Sequence, residues 1–307
     1  MTGSGSSGDP YVIYDINDIK QIYNKGQYNY HFRLNNDIDF TGTSYATDYV
    51  PINLEFATFD GQGHTIRGIY KTSPASDASL FLGTHSYGLT IKNLNIEAEF
   101  SCSTFSLVNN PKLPAVNYTY ENCKFVLNLY EGTTPQFNTN SGSLFGTNSL
   151  CQKFKYCTFI INGSLHSAHN FLKNGSFTGC QFRFDTIVYN VDSDSSINGF
   201  FKDIPMSDTG FFGRIRFQTE TTPESFLFAD GGAASNCYQV IRYEGCSSVL
   251  WNSEINTVCF WDNENSGEAE IINTNSSEQA ARLLSLASEQ CKNAAYLRSV
   301  GYSCEGE

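Results

Sequence analysis

"FKYCTFIING", residues 154–163, alternates aromatic or β-branched residues with polar ones, the period-two pattern of a half-buried strand, and a cysteine sits in its middle. The arrangement returns in "ENCKFVLNLY" (121–130), "TGCQFRFDTI" (178–187) and "SNCYQVIRYE" (235–244). "IKNLNIEAEF" (91–100), "FFGRIRFQTE" (211–220) and "NTVCFWDNEN" (256–265) carry Leu94, Gly213 and Cys259 at the corresponding place. Aligned on that pivot, the positions are Leu94, Cys123, Cys157, Cys180, Gly213, Cys237 and Cys259, spaced 22 to 34 residues apart. A second motif alternates with the first, a small polar residue before two or three apolar ones: "SLFLGT" (79–84), "SLFGTN" (143–148) and "SFLFAD" (225–230).

A period of that size, built from short strands and turns, is what a parallel β-helix or related solenoid produces. One coil cannot bury its inward face alone, so successive coils stack and share a core. Equivalent positions then lie about 4.8 Å apart up the stack. The pivots are therefore expected to form an inward column in which cysteine serves as a compact apolar residue. Disulfide, metal and nucleophile roles fit less well. There is no C-x-x-C, the five histidines are scattered, and a chain of 307 residues does not need a disulfide framework.

Composition agrees with an all-β protein. Charged residues are 16% and aromatics 14%, with 24 Phe and 18 Tyr. The net charge is −12, and no basic cluster occurs, which argues against tracking nucleic-acid phosphates or docking to anionic membranes. No apolar run of membrane-spanning length is present. The N-terminus lacks a basic region followed by an apolar one, so no secretory signal is expected there.

Caps are expected at both ends of a solenoid. In "YDINDIKQIYNKGQ" (14–27), Asp15 can N-cap a helix whose Ile16, Ile19, Ile22 and Tyr23 share one face, with Gly26 at its end. Near the C-terminus, Ser276 and Gln279 are spaced as a capping box before a leucine-rich stretch that includes Leu283, Leu284 and Leu286, so a helical cap is predicted. The resulting division is an N-terminal cap over 1–56, coils over 57–265 and a C-terminal helical cap over 266–307.

At "DPYVIYDINDIKQI", "FDGQGHTIRGI" and "FWDNENSG" the chain resembles the GLUG-repeat class of right-handed β-helix proteins, found in surface adhesins and phage virion proteins. The resemblance is looser through the middle coils, where cysteine pivots and long polar insertions depart from it. It implies an all-β, right-handed parallel β-helix of about seven or eight coils with short helical caps. It also implies a Gly-rich lead that belongs to the protein, and a non-enzymatic structural or attachment role.

Catalytic candidates are weak. Glycoside hydrolysis needs two facing carboxylates, and Asp185, Asp192, Asp194, Asp203 and Asp208 fall on neighbouring coils. A lyase would use basic residues to stabilise an enolate and abstract a proton, and Lys173, Lys202, Arg183, Arg214 and Arg216 lie in the right region. Turn aspartates and outward cations explain the same residues as ordinary β surface. "NNDIDF" (35–40) alternates carboxylates but lacks the remaining ligands of a calcium loop, and His64 reads as a turn residue. No metal and no cofactor is expected. Glycan binding is expected instead from Tyr118, Tyr120, Tyr130 and Phe137, aromatics set among Asn, Ser and Thr, with the alternative that the tyrosines merely cover the coil flank. The expected setting is a bacteriophage virion, as a tail-associated or head-decorating protein. Its partners would be other virion proteins, host cell-surface polysaccharide and further copies of itself. A glycan depolymerase or a bacterial surface adhesin, extracellular or at the cell surface, is the alternative.

Overall fold

The computed structural model describes residues 1–25, 29–43, 52–53, 57–82, 89–109, 116–129, 150–166, 172–173, 175–189, 201–202, 204–218, 225–255, 259–262, 267, 269–273 and 283–286. The described residues are nearly all β, with parallel strands in two sheets and almost no helix, an arrangement compatible with a parallel β-helix solenoid. The chain divides into two compact units, residues 1–160 and 161–307.

The first unit holds β1 (Tyr11–Ile13), α1 (Ile16–Lys25), β2 (His31–Leu34), β3 (Ile38–Asp39), β4 (Ile52–Asn53) and β5 (Thr58–Asp60). It continues with β6 (Thr65–Leu82), β7 (Leu89–Lys92), β8 (Asn95–Asn109), β9 (Val116–Glu121), β10 (Lys124–Leu129), β11 (Leu150–Lys155) and the start of β12 (Thr158–His166). In one sheet β1, β2, β5, β7, β9 and β11 pair in that order, all parallel. In the other, β3, β6, β8 and β10 do the same. Every other residue of β10 is buried, Phe125, Leu127 and Leu129, which is the alternation that reads as a strand in the sequence.

Asp15 caps α1. Its carboxylate accepts the Asp18 N–H at 3.0 Å, and the Asp18 carboxylate accepts the Tyr14 N–H at 2.9 Å, a reciprocal arrangement that satisfies two N-terminal donors. Ile19 and Ile22 are buried on one helix face.

The second unit comprises β13 (Leu172–Lys173), β14 (Gly175–Thr178), β15 (Gln181–Tyr189), β16 (Phe201–Lys202), β17 (Met206–Ser207) and β18 (Gly210–Gln218). Then come β19 (Ser225–Ser235), β20 (Tyr238–Glu244), β21 (Ser248–Ile255), β22 (Cys259–Asp262), β23 (Glu270–Asn273) and β24 (Leu283–Leu286). Here β15, β18, β20, β22 and β24 form one parallel run. The long β19 pairs with β16 and β17 on one side and with β21 on the other, and β21 with β23.

Two expectations are corrected in this unit. Leu283–Leu286 are strand and not cap helix, because pairing Cys259 with Leu283 and Asp262 with Leu286 fills the next place in a ladder. That ladder outweighs the helix propensity of a leucine-rich stretch. β23 likewise carries parallel pairing beyond residue 265. Ser276, Gln279 and residues 287–307 lie outside the described residues.

The core is aromatic in both units. Tyr120 stacks on Phe154, its register partner, at 4.6 Å, and Phe125 on Phe159 at 5.2 Å. In the second unit Phe182 stacks on its partner Phe211 at 5.4 Å, and Phe228 on Trp251 at 5.4 Å. Parallel register brings like rings into offset contact, adding about 0.5–1.5 kcal/mol per pair beyond burial.

Candidate functional site

The sheets meet at a repeated corner two residues long. Its first residue is left-handed: Asn93, Asn122, Tyr156, Asp208 and Asn236 have φ between 51° and 55°, and Gly179 has 63°. Its second residue is the buried pivot. Between neighbouring corners the side chains bond to one another. The Asn93 amide donates to the Asp60 carboxylate at 3.0 Å, the Asn122 amide to Asn93 Oδ1 at 2.9 Å, and the Asn236 amide to the Asp208 carboxylate at 3.1 Å.

Leu94, Cys123, Cys157, Cys180, Cys237 and Cys259 are all buried at this second position. Gly213 is not. Gln181 pairs with Gly210 and Gly210 with Tyr238, so the rung between Cys180 and Cys237 is filled by Thr209, fully buried. Gly213 lies further along β18 with φ 108°, opposite Phe184, where a Cβ would stand 2.0 Å from the Phe184 carbonyl oxygen. Thr209 also shows why cysteine recurs. Its hydroxyl donates to the carbonyl of Ser207, two residues back, at 2.9 Å. Cys123, Cys157, Cys180 and Cys237 make the same bond with their thiols at 3.4–3.5 Å. At these rungs a small side chain with a donor closes that bond, which cysteine does without a strong desolvation penalty, while Leu94 fills the same place by packing alone. The neighbouring Cys157 thiol and burial hold Cys123 well above the usual thiol range.

Asp185 and Asp208 also have structural places. Asp185 faces Arg214 across the β15–β18 pair at 3.1 Å and Arg216 at 3.8 Å. Asp208 is a corner residue. Arg183 is exposed, and Lys173 lies in register with Lys202. Asp192, Asp194, Asp203, Tyr130 and Phe137 lie outside the described residues.

Tyr118 and Tyr120 are buried, with no exposed face to offer a sugar. They are the inward positions of β9, and their hydroxyls make no hydrogen bond. Burial pushes the Tyr118 hydroxyl up to about 12.

Among the described residues, an opening lies elsewhere, on the outer surface of β6, β8 and β10. It is a cleft of about 620 Å³ lined by Thr41, Thr43, Tyr70, Glu97, Glu99 and Asn128, with Gly42, Gly68, Ile69 and Ala98 completing it. Its wall is the turn after β3. The Phe40 N–H donates to the Arg67 carbonyl at 2.9 Å, and Thr43 Oγ1 to the Phe40 carbonyl at 2.8 Å. That turn can approach the sheet because residue 68 is glycine, with φ 71°. A Cβ there would stand 2.4 Å from the Thr41 nitrogen and from its Oγ1. Pairing with β8 shifts between Ile66 and Ile69, so both isoleucines point inward while Arg67 and Gly68 bulge out.

The floor follows from register. Tyr70 pairs with Glu99 and Glu99 with Asn128, so the three outward side chains form one row across three strands, spanning about 10 Å. Glu97 stands beside Glu99, two residues earlier on β8.

Arg67 is occupied at the cleft's end. Its Nε donates to the Asp39 carboxylate at 2.8 Å, and Asp37 lies 3.8 Å from its Nη1. The Arg67 guanidinium, with the Thr41 hydroxyl and N–H, holds Asp39 down to about 2. Asp37 is lowered chiefly by the Thr65 N–H, and its carboxylate also accepts from His64 Nδ1 at 3.2 Å. The carboxylates of "NNDIDF" thus brace this turn.

No family model matches the chain, and no curated protein does. Among solved structures it is similar to one described as a "putative immunoglobulin A1 protease from Bacteroides ovatus", at 12% identity and a TM-score of 0.48. The match spans 97% of this chain and 89% of that one. Likeness at that level says nothing about what the present chain does.

Proposed function

We propose that the protein is a non-enzymatic attachment protein: a right-handed parallel β-helix of the GLUG-repeat class that holds a glycan in the cleft between the Thr41–Thr43 turn and β8. The row Tyr70–Glu99–Asn128 carries this reading. An aromatic face packs on the C–H surface of a sugar ring. A carboxylate and an amide beside it accept from and donate to hydroxyls, and the row has room for a disaccharide. Bonded corners and stacked rings make a stiff platform for these groups, which limits the ordering cost of binding. In this reading the protein works in a bacteriophage particle, docked to other virion proteins and to further copies of itself, and meets host surface polysaccharide. The GLUG-like motifs support that setting.

One observation favours a second reading. Glu97 and Glu99 alternate on one strand, placing their Cα atoms about 6.7 Å apart. Glycoside hydrolysis uses a pair of carboxylates, and these two line one cleft. A glycan array followed by product sizing separates the two. Attachment expects selective retention with glycan length unchanged, lost in Tyr70→Ala. Progressive shortening, abolished in Glu97→Gln, would establish the depolymerase, and absence of any glycan retention would sink both.

A further inference from the structure

We propose that the cleft selects glycans bearing free amino groups, a refinement that rests on the glycan-binding reading above. Among the described residues the cleft holds two outward carboxylates, Glu97 and Glu99, and no cation. Among the described residues the Glu99 carboxylate makes no ion pair or hydrogen bond. Arg67 interacts electrostatically with Glu97, but Asp39 and Asp37 flank its guanidinium more closely. Lys124 stands on the outer face of β10 in register with Asn95, four residues from Asn128 and so about 13 Å down the strand. The described charges lining the cleft are therefore negative, on a chain whose net charge is −12.

That charge pattern discriminates between sugars. A carboxylate accepts hydrogen bonds and donates none, so Glu99 has nothing to offer a uronate or sialate except repulsion. An ammonium on a sugar ring is the opposite case. It donates to Glu99 in a charge-assisted bond. One strand spacing away, the face of Tyr70 attracts the same cation, and the ring beneath it covers the tyrosine. Asn128, on the other side of Glu99, can accept from and donate to the next ring. Each contact comes from a different strand of one register row, so the ammonium's place is set by the sheet and not by a loop.

The test is a titration of the full chain with three oligosaccharides of equal length: a β-1,4-linked glucosamine tetramer, its fully N-acetylated counterpart and a galacturonate tetramer. The expected order is amine, then acetylated, then uronate. The amine should lead the uronate by about tenfold or more at low salt, and the gap should narrow at high salt. Glu99→Gln should shrink the amine preference to about twofold or less. Asp185→Asn, which removes an equal charge in the other unit, should leave the preference intact. Equal affinity for all three would leave glycan attachment standing and overturn the amine selection. A uronate that binds as well as the amine, or a preference that survives Glu99→Gln, would also overturn it. No binding by any tetramer would remove both readings.

Discussion

Tyr156 holds the left-handed corner that asparagine holds at 93, 122 and 236, and it is 62% exposed. A bulky side chain at φ 55° is strained by roughly 1 kcal/mol relative to asparagine or glycine. Tyr156→Asn is therefore expected to raise the unfolding free energy by about 0.5–1 kcal/mol, read from urea melts with unchanged slope. Asn122→Ala runs the other way. It loses both the left-handed preference and the bond to Asn93, for an expected cost of about 1–2 kcal/mol. The buried Tyr120 hydroxyl has no partner, so Tyr120→Phe should be neutral or stabilising by about 1 kcal/mol. A loss of stability there would show that the hydroxyl is satisfied in solution. The pivots were legible as residues because their period is carried by a distinctive side chain. Thr209 was not, since threonine is common and "FFG" imitates the pattern two turns of the pleat later. The tyrosines of "NYTYEN" were readable as inward by their own alternation. Their polar neighbours argued misleadingly for the surface.

At the scale of elements, the β-bulge and turn that shape the cleft are held by charge. Asp39 has a folded value near 2, below its ordinary 3.8, so it favours the folded state fully above about pH 4 and loses that contribution as pH falls toward 2. The thermal midpoints of the native chain and Asp39→Asn should therefore differ at pH 6 and converge near pH 2. A constant difference would mean that the carboxylate acts by shape alone. Gly213 tests the opposite kind of constraint. Gly213→Ala places a methyl against the Phe184 carbonyl in a backbone region that L-residues avoid, and is expected to cost about 2 kcal/mol or more. Strand identity was readable in the middle of the chain, where alternation is clean. It failed at Leu283–Leu286, where only pairing with β22 decides between strand and helix. The cleft was invisible in the sequence for a related reason. Tyr70, Glu99 and Asn128 belong to three separate strands, and only register aligns them.

For the whole molecule, parallel stacking puts most contacts far apart in sequence, and thiols that recur at one position become a single buried column within each unit. The cysteines at 123, 157, 180, 237, 246 and 259 are all buried. Peptide-mapped alkylation of the native chain should leave these six unmodified until denaturant reaches the unfolding transition. Labelling at low denaturant would show that rungs open separately. The corners add a consequence for how such a chain can change length. Bonded partners at the corners are 28, 29 and 33 residues apart, at Asp208–Asn236, Asn93–Asn122 and Asp60–Asn93. An insertion of one whole interval hands every partner to an equivalent neighbour. A single added residue within a strand turns all later side chains to the wrong face. Tandem duplication is thus the cheap route to a longer protein, and size can grow in quanta of one rung, like a ruler extended by its own divisions.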